Sequence, residues 1–113
     1  MEIKGDDYQT SYDPETATLI WKGKFRLQSR EYAPILEQLN EIADQKSTLI
    51  NFHLEEVSFM NSTGISMLCK FVDRLDQLKV TKLVIHHSTQ YPWQKRSLKN
   101  LERLLPTIEF KSD

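Results

Sequence analysis

The apolar positions of this chain change period several times, and each change marks an element. Between Ala17 and Leu27 they alternate. Leu19, Trp21 and Phe25 share odd positions, as a half-buried strand requires, and Gly23 marks a bend or bulge. Tyr8 to Tyr12 reads as a more polar strand. Asp13-Pro14-Glu15-Thr16 lies between the two as a turn, because proline presets the backbone at the second turn position. Together they predict a hairpin. From Ser29 the period lengthens: Tyr32, Ile35, Leu36, Leu39, Ile42 and Ala43 form one stripe of a helix over about 29–44. Pro34 belongs in its first turn, since an interior proline costs about 3 kcal/mol.

Leu49 to Leu54 returns to alternation, with Ile50, Phe52 and Leu54 on one face. After Glu55-Glu56, Val57, Phe59 and Met60 read as a strand end in the core. A helix over about 63–79 follows, its apolar stripe read as Ile65, Leu68, Val72 and Leu75. Thr63, Ser66, Met67, Lys70 and Arg74 then fall on the outer side. Val80 to His86 is a strand with Leu83, Val84 and Ile85 continuous, which suits a covered sheet. Pro92 opens a helix over about 93–105 that carries Leu98, Leu101, Leu104 and Leu105. Pro106 ends it, and Thr107 to Phe110 is a short closing strand.

Strands alternating with helices imply right-handed crossovers. The expectation is an α/β fold: a mixed, mostly parallel central sheet of four to five strands, an N-terminal hairpin and three packed helices. The 113 residues suit a single domain, its core at about 16–110, with no repeat or linker.

Charge narrows the function. Fifteen basic residues against 16 acidic leave no surplus for gripping nucleic acid. Cys69 is the only cysteine, so no intramolecular disulfide forms. It reads as a small core residue of a protein in a reducing compartment. The stretch Glu2 to Asp7 is charged rather than of signal-peptide type, and no segment approaches the roughly 20 apolar residues that span a bilayer. A cytoplasmic protein with no membrane association is expected. Enzyme chemistry finds little footing. Ser62 is not in a Gly-x-Ser-x-Gly elbow, and three glycines make no phosphate-cradling loop. His86 and His87 are adjacent and face opposite ways on a strand, with no third metal ligand at a convincing spacing. No cofactor or metal is expected.

The chemistry concentrates where strand hands over to helix, at Phe59-Met60-Asn61-Ser62-Thr63-Gly64. Asn61, Ser62 and Thr63 can each cap a helix start, because their side-chain oxygens accept first-turn N–H groups. The two hydroxyls serve either as caps alone or as a phosphorylation site. This stretch resembles the signature of the STAS domain family, the anti-sigma-factor antagonists and their relatives: a hydrophobic strand, then Phe-Met/Ile-Asp-Ser-Ser/Thr-Gly, then a helix. The resemblance implies a stand-alone regulatory protein that binds a partner and is switched by phosphorylation of Ser62, with Thr63 the weaker candidate. It implies an anti-sigma-type serine kinase and a phosphatase as partners. Two residues depart from the pattern: Asn61 stands for the usual aspartate, and Ser66 for a frequent second glycine. His53 sits where relatives often carry Asp or Asn, and reads as structural or partner-facing.

Asn61, Met67, Lys70, Arg74 and His53 are therefore the candidate partner-binding residues, with Met67 as a flexible anchor. A monomer or weak dimer is expected. An adaptor that is never phosphorylated and a small-molecule or nucleotide carrier are the alternatives. On the last helix Lys95, Lys99 and Arg103 share a stripe, with Arg96 beside it. The stripe is either a solvated face or one that steers an acidic partner. Tyr91 and Trp93 fit either a core lid or an interface.

Overall fold

The computed structural model describes residues 1–112. Strands β1 (Glu2–Lys4), β2 (Tyr8–Asp13) and β3 (Thr18–Phe25) come first. A 3-10 turn (Ser29–Tyr32) leads into helix α1 (Ala33–Asp44), with Pro34 in its first turn. Then follow β4 (Leu49–Met60), α2 (Ser62–Leu78), β5 (Lys82–His87), α3 (Pro92–Leu104) and β6 (Glu109–Ser112).

The strands form one sheet in sequence order, β1-β2-β3-β4-β5-β6. The first two pairings are antiparallel and the other three parallel. The sheet thus has six strands, not four to five. The extra strand is β1, three residues at the edge that pair with Gln9 to Ser11 of β2. A charged stretch this short carries no period to read.

Each β-α-β crossover moves one strand further in the same direction. Right-handed crossovers that never reverse must all lie on one face. The three helices accordingly pack side by side, α1 on α2 and α2 on α3. They cover Leu19, Trp21, Phe25, Ile50, Phe52, Leu54, Leu83 and Ile85. A run of ring contacts crosses this core: Trp21 stacks on Phe25 (4.9 Å between centroids) and meets Phe52 edge-on (5.1 Å), which meets Phe71 of α2 (6.2 Å). The opposite face, with Asn51, His53 and His86, has no helix over it.

Strand β4 is twice the expected length. Its first half lies between β3 and β5, and pairing with β5 ends at His53↔His86. Its second half pairs with β3 alone, through register shifts beside Gly23, whose φ is 100°. Two carbonyls on the unpaired side are served by α3 instead. Gln94, fully buried, donates Nε2 to Leu54 O (2.8 Å) and Val57 O (3.0 Å). Trp93 donates its indole N–H to Val57 O at 2.8 Å, so this indole is a lid and a strand substitute. Among the described residues no helix is long and apolar enough to cross a membrane.

Candidate functional site

Asn61 is the N-cap of α2 and closes the gap between three elements. Its backbone is extended (φ −78°, ψ 170°), and its Oδ1 accepts the Gly64 N–H at 2.9 Å, the bond that a helix start needs. The same oxygen accepts the Tyr32 hydroxyl at 2.7 Å. Its Nδ2 donates to Leu27 O at 2.8 Å, and its backbone N–H donates to Phe25 O at 2.9 Å. Two donors converge on one end of the amide and a carbonyl meets the other. An aspartate has no donor for Leu27, so the Asn found here matches its surroundings. Burial pushes the Tyr32 hydroxyl above the usual tyrosine value, with the Leu27 backbone acting against the shift and Tyr8 adding to it.

Ser62 occupies the first position of α2 and is exposed; Thr63 follows, half-buried. The first-turn N–H groups and the helix dipole make this end favourable for an anion. Along the helix the buried positions are Gly64, Met67, Leu68, Phe71, Val72 and Leu75. That corrects Met67: it is 4% exposed and belongs to the core. The stripe is centred on Met67, Leu68, Phe71 and Val72, with Ile65 and Cys69 at its edge. Phe71, four residues after Met67, sets this phase. Burial also pushes the Cys69 thiol above its usual value. The exposed ridge is Ser62, Ser66, Lys70, Asp73 and Gln77. Ser62 and Lys70 of the expected set share it. Arg74 lies at its margin, bonded through Nη2 to Asp44 Oδ1 at the end of α1.

Phe59 is the second correction. It is 43% exposed, not core, because β4 bulges there: Gly23 pairs with Val57 and the next residue, Lys24, with Phe59, so the extra residue Ser58 breaks the alternation that would set Phe59 beside Val57. The Arg26 guanidinium lies 5.8 Å from its ring centroid. With Lys24, Ser58 and Tyr91 these two line a shallow groove. Phe59 stands two residues before Asn61, and Arg26 stands between the two β3-end residues whose carbonyls Asn61 binds. The groove and Ser62 therefore occupy the same end of the sheet. An apolar ring beside a strand-end cation is a signal legible only once the face of Phe59 is known.

His53 is elsewhere, on the helix-free face in mid-sheet. Its Nδ1 lies 3.0 Å from Glu55 Oε1, and its ring stacks on His86 at 4.1 Å. It does not join the Asn61 turn. Burial and the His53 ring push the His86 imidazole below the usual histidine value; Glu55 acts against that and Lys111 adds to it. A concavity beside α3, about 470 Å³ and lined by His87, Gln94, Lys95, Leu98 and Phe110, is open to solvent rather than enclosed.

A mostly parallel sheet with an N-terminal antiparallel hairpin, three helices and a hydroxyl turn opening the second helix is the STAS fold of the anti-sigma factor antagonists. Solved structures share it at low identity. A chain of the crystal structure of the diguanylate cyclase SiaD in complex with its activator SiaC, from Pseudomonas aeruginosa, matches with a TM-score of 0.77 and 12% identity, covering 100% of this chain and 99% of that one. An anti-sigma factor antagonist from Mycobacterium paratuberculosis matches at 0.64 and 18%, covering 90% and 85%. The Bacillus cell fate determinant SpoIIAA, solved in its phosphorylated form, matches at 0.59 and 16%, covering 94% and 92%. No protein-family model matches the sequence, and no curated protein is similar to it at the level of sequence.

Proposed function

We propose that this protein is a non-catalytic regulator that binds a protein partner at the α2 end of the sheet and is switched by phosphorylation of Ser62. The observation that carries this reading is an exposed serine at the first position of a helix whose N-cap is held by four hydrogen bonds. A phosphate adds about −1.5 to −2 charges. Here it meets first-turn N–H groups able to bind an anion, so the fold tolerates it. The partner surface that must cover Ser62 does not. Binding to a tightly fitted or acidic surface then falls by roughly 2–3 kcal/mol, about a hundredfold. Thr63, half-buried, is the lesser acceptor.

The contact surface runs from the ridge Ser62, Ser66 and Lys70 to the Phe59–Arg26 groove. An anti-sigma-type serine kinase is the partner class, with a phosphatase to reset the switch, in the cytoplasm. Proteins of this fold described as an activator, an antagonist and a cell fate determinant support a regulator over an enzyme. The sheet topology supports it too. Open α/β sheets hold ligands in the crevice where strand order reverses, and this order never reverses.

The test is a pull-down from the native cell with wild type and Ser62→Ala, each followed by phosphopeptide mass spectrometry. Phosphate on Ser62 and stronger partner recovery by Ser62→Ala are expected. Calorimetry on unmodified, phosphorylated and Ser62→Ala protein then measures the switch. Equal affinities, or modification only at residues far from this turn, leave an unswitched adaptor.

A further inference from the structure

His53 and Glu55 are two residues apart on β4, so the alternation of a strand sends both to one face. His86 of β5 is the register partner of His53 and joins them there. One ligand-capable atom of each residue lies within 4.8 Å of the other two. The three come from positions 33 apart in sequence and meet only through the β4–β5 register.

The ring nitrogens are already sorted. His86 Nε2 lies 2.9 Å from Asn51 Oδ1, which only accepts, so Nε2 carries the proton and Nδ1 keeps its lone pair. His53 Nδ1 lies 3.0 and 3.2 Å from the two Glu55 carboxylate oxygens, so a proton sits between them. Two imidazoles and a carboxylate are a donor set suited to a borderline-soft dication. The Asn51 carbonyl gives one imidazole the outer support that metal-bound histidines commonly have.

We propose that His53, Glu55 and His86 form a binding site for a divalent transition-metal ion of the zinc type. The ion replaces the proton held between His53 Nδ1 and Glu55, which leaves to solvent, and takes His86 Nδ1 as third ligand. Metal–ligand bonds of about 2.0–2.2 Å need donors roughly 3.3 Å apart, so the widest pair, within 4.8 Å, closes in by up to about 1.5 Å. They are free to do so: His53 and Glu55 side chains are 32% and 34% exposed on a face without a helix. Protonating both rings would set two cations 4.1 Å apart, whereas one shared dication holds them together. Lys111, register partner of His86, opposes the ion, and Glu55 is the carboxylate that favours it. Glu109, nearby on β6, is already paired with Lys82 at 3.0 Å. Three protein ligands leave a fourth position for water or an outside donor.

The experiment titrates metal-free protein at near-neutral pH with zinc by calorimetry and with cobalt(II) by visible absorbance. One ion per chain, cobalt bands of the tetrahedral kind and their loss on adding zinc are expected. His53→Ala, His86→Ala and Glu55→Gln should each weaken binding at least tenfold. His87→Ala should bind like wild type, since that ring lies against Phe110, 6.0 Å between centroids. Glu55→Gln keeps the shape of the site and guards against an alanine variant that misfolds. Wild type without a cobalt spectrum, or the Glu55→Gln and His86→Ala proteins binding as tightly as wild type, overturns the proposal.

Discussion

The Tyr32 hydroxyl meets the Asn61 carboxamide oxygen at 2.7 Å and so ties the start of α1 to the start of α2. Both helices begin at the same end of the sheet, where β3 and β4 terminate. The carboxamide also reaches back to Leu27 O, so one side chain references both helices to β3. The turn that presents Ser62 is rigid for that reason.

Replacing Asn61 by Asp should destabilise the protein by about 1–3 kcal/mol, the range for leaving a buried polar group unsatisfied. The carboxylate keeps the cap on Gly64 but sets an acceptor against Leu27 O. Urea unfolding measures the loss. Asn61→Asp as stable as wild type would mean that the Leu27 contact contributes nothing.

Tyr32→Phe should cost about 0.5–1.5 kcal/mol at neutral pH, the net worth of one hydrogen bond. The difference should shrink in alkali. Burial holds the folded-state pKa of Tyr32 above the ordinary tyrosine value. The unfolded chain therefore loses its proton first, and the stability tied to the neutral hydroxyl is lost from about pH 10 upward through the folded pKa. Denaturation of both proteins on either side of pH 10 checks this. A gap that widens in alkali contradicts it.

Gly64 is a close-approach glycine. A Cβ built there would lie 2.7 Å from the Tyr32 hydroxyl oxygen and 2.7 Å from Met60 Cγ. Gly64→Ala gains about 1 kcal/mol of helix propensity. Overpacking of about 1–3 kcal/mol should outweigh it, because the displaced hydroxyl is the one that holds Asn61. In a double-mutant cycle the alanine should do less harm beside Tyr32→Phe. Additive effects would place the strain elsewhere.

Phe59 and Met67 should exchange the roles that the sequence pattern assigns them. Met67→Ala should cost about 2–5 kcal/mol, as a buried truncation does. Phe59→Ala should leave the melting temperature nearly unchanged yet weaken partner binding at least tenfold, as loss of an aromatic anchor does. Thermal melts and partner titrations on the two variants separate the cases. A large melting shift for Phe59→Ala would make it structural.

Element order was legible because every helix and inner strand carries enough apolar residues to show its period. Asn61 was legible as a cap, since the polar triplet stands where the period changes. The phase of α2 was not. Leaving Phe71 out of its stripe turns the apolar face away from Met67. Phe59 was misplaced because alternation sets it on the face of Val57, and the bulge at Ser58 that turns it outward and Met60 inward depends on the pairing with β3, which leaves no mark in the local pattern. Glu55-Glu56 looked like a break in β4, yet Glu56 pairs with Lys22 of β3, 3.6 Å between charged atoms, and the strand runs on. Gln94 offered no signal, because which carbonyls lack partners depends on where β5 stops. The His53–Glu55–His86 cluster depends on register in the same way, which local patterning does not contain.

The unbroken order of the strands also bears on how the chain assembles. Each strand docks on an edge that its predecessor has just left open, so none is threaded between two already in place. The cost of closing a loop rises with the length of chain enclosed. Here the longest wait between partners is one helix and its turns. Sheets whose central strands arrive last must hold that gap open, and such long separations slow folding. This one can be laid down in courses, from the hairpin toward β6, as synthesis delivers the N-terminus first.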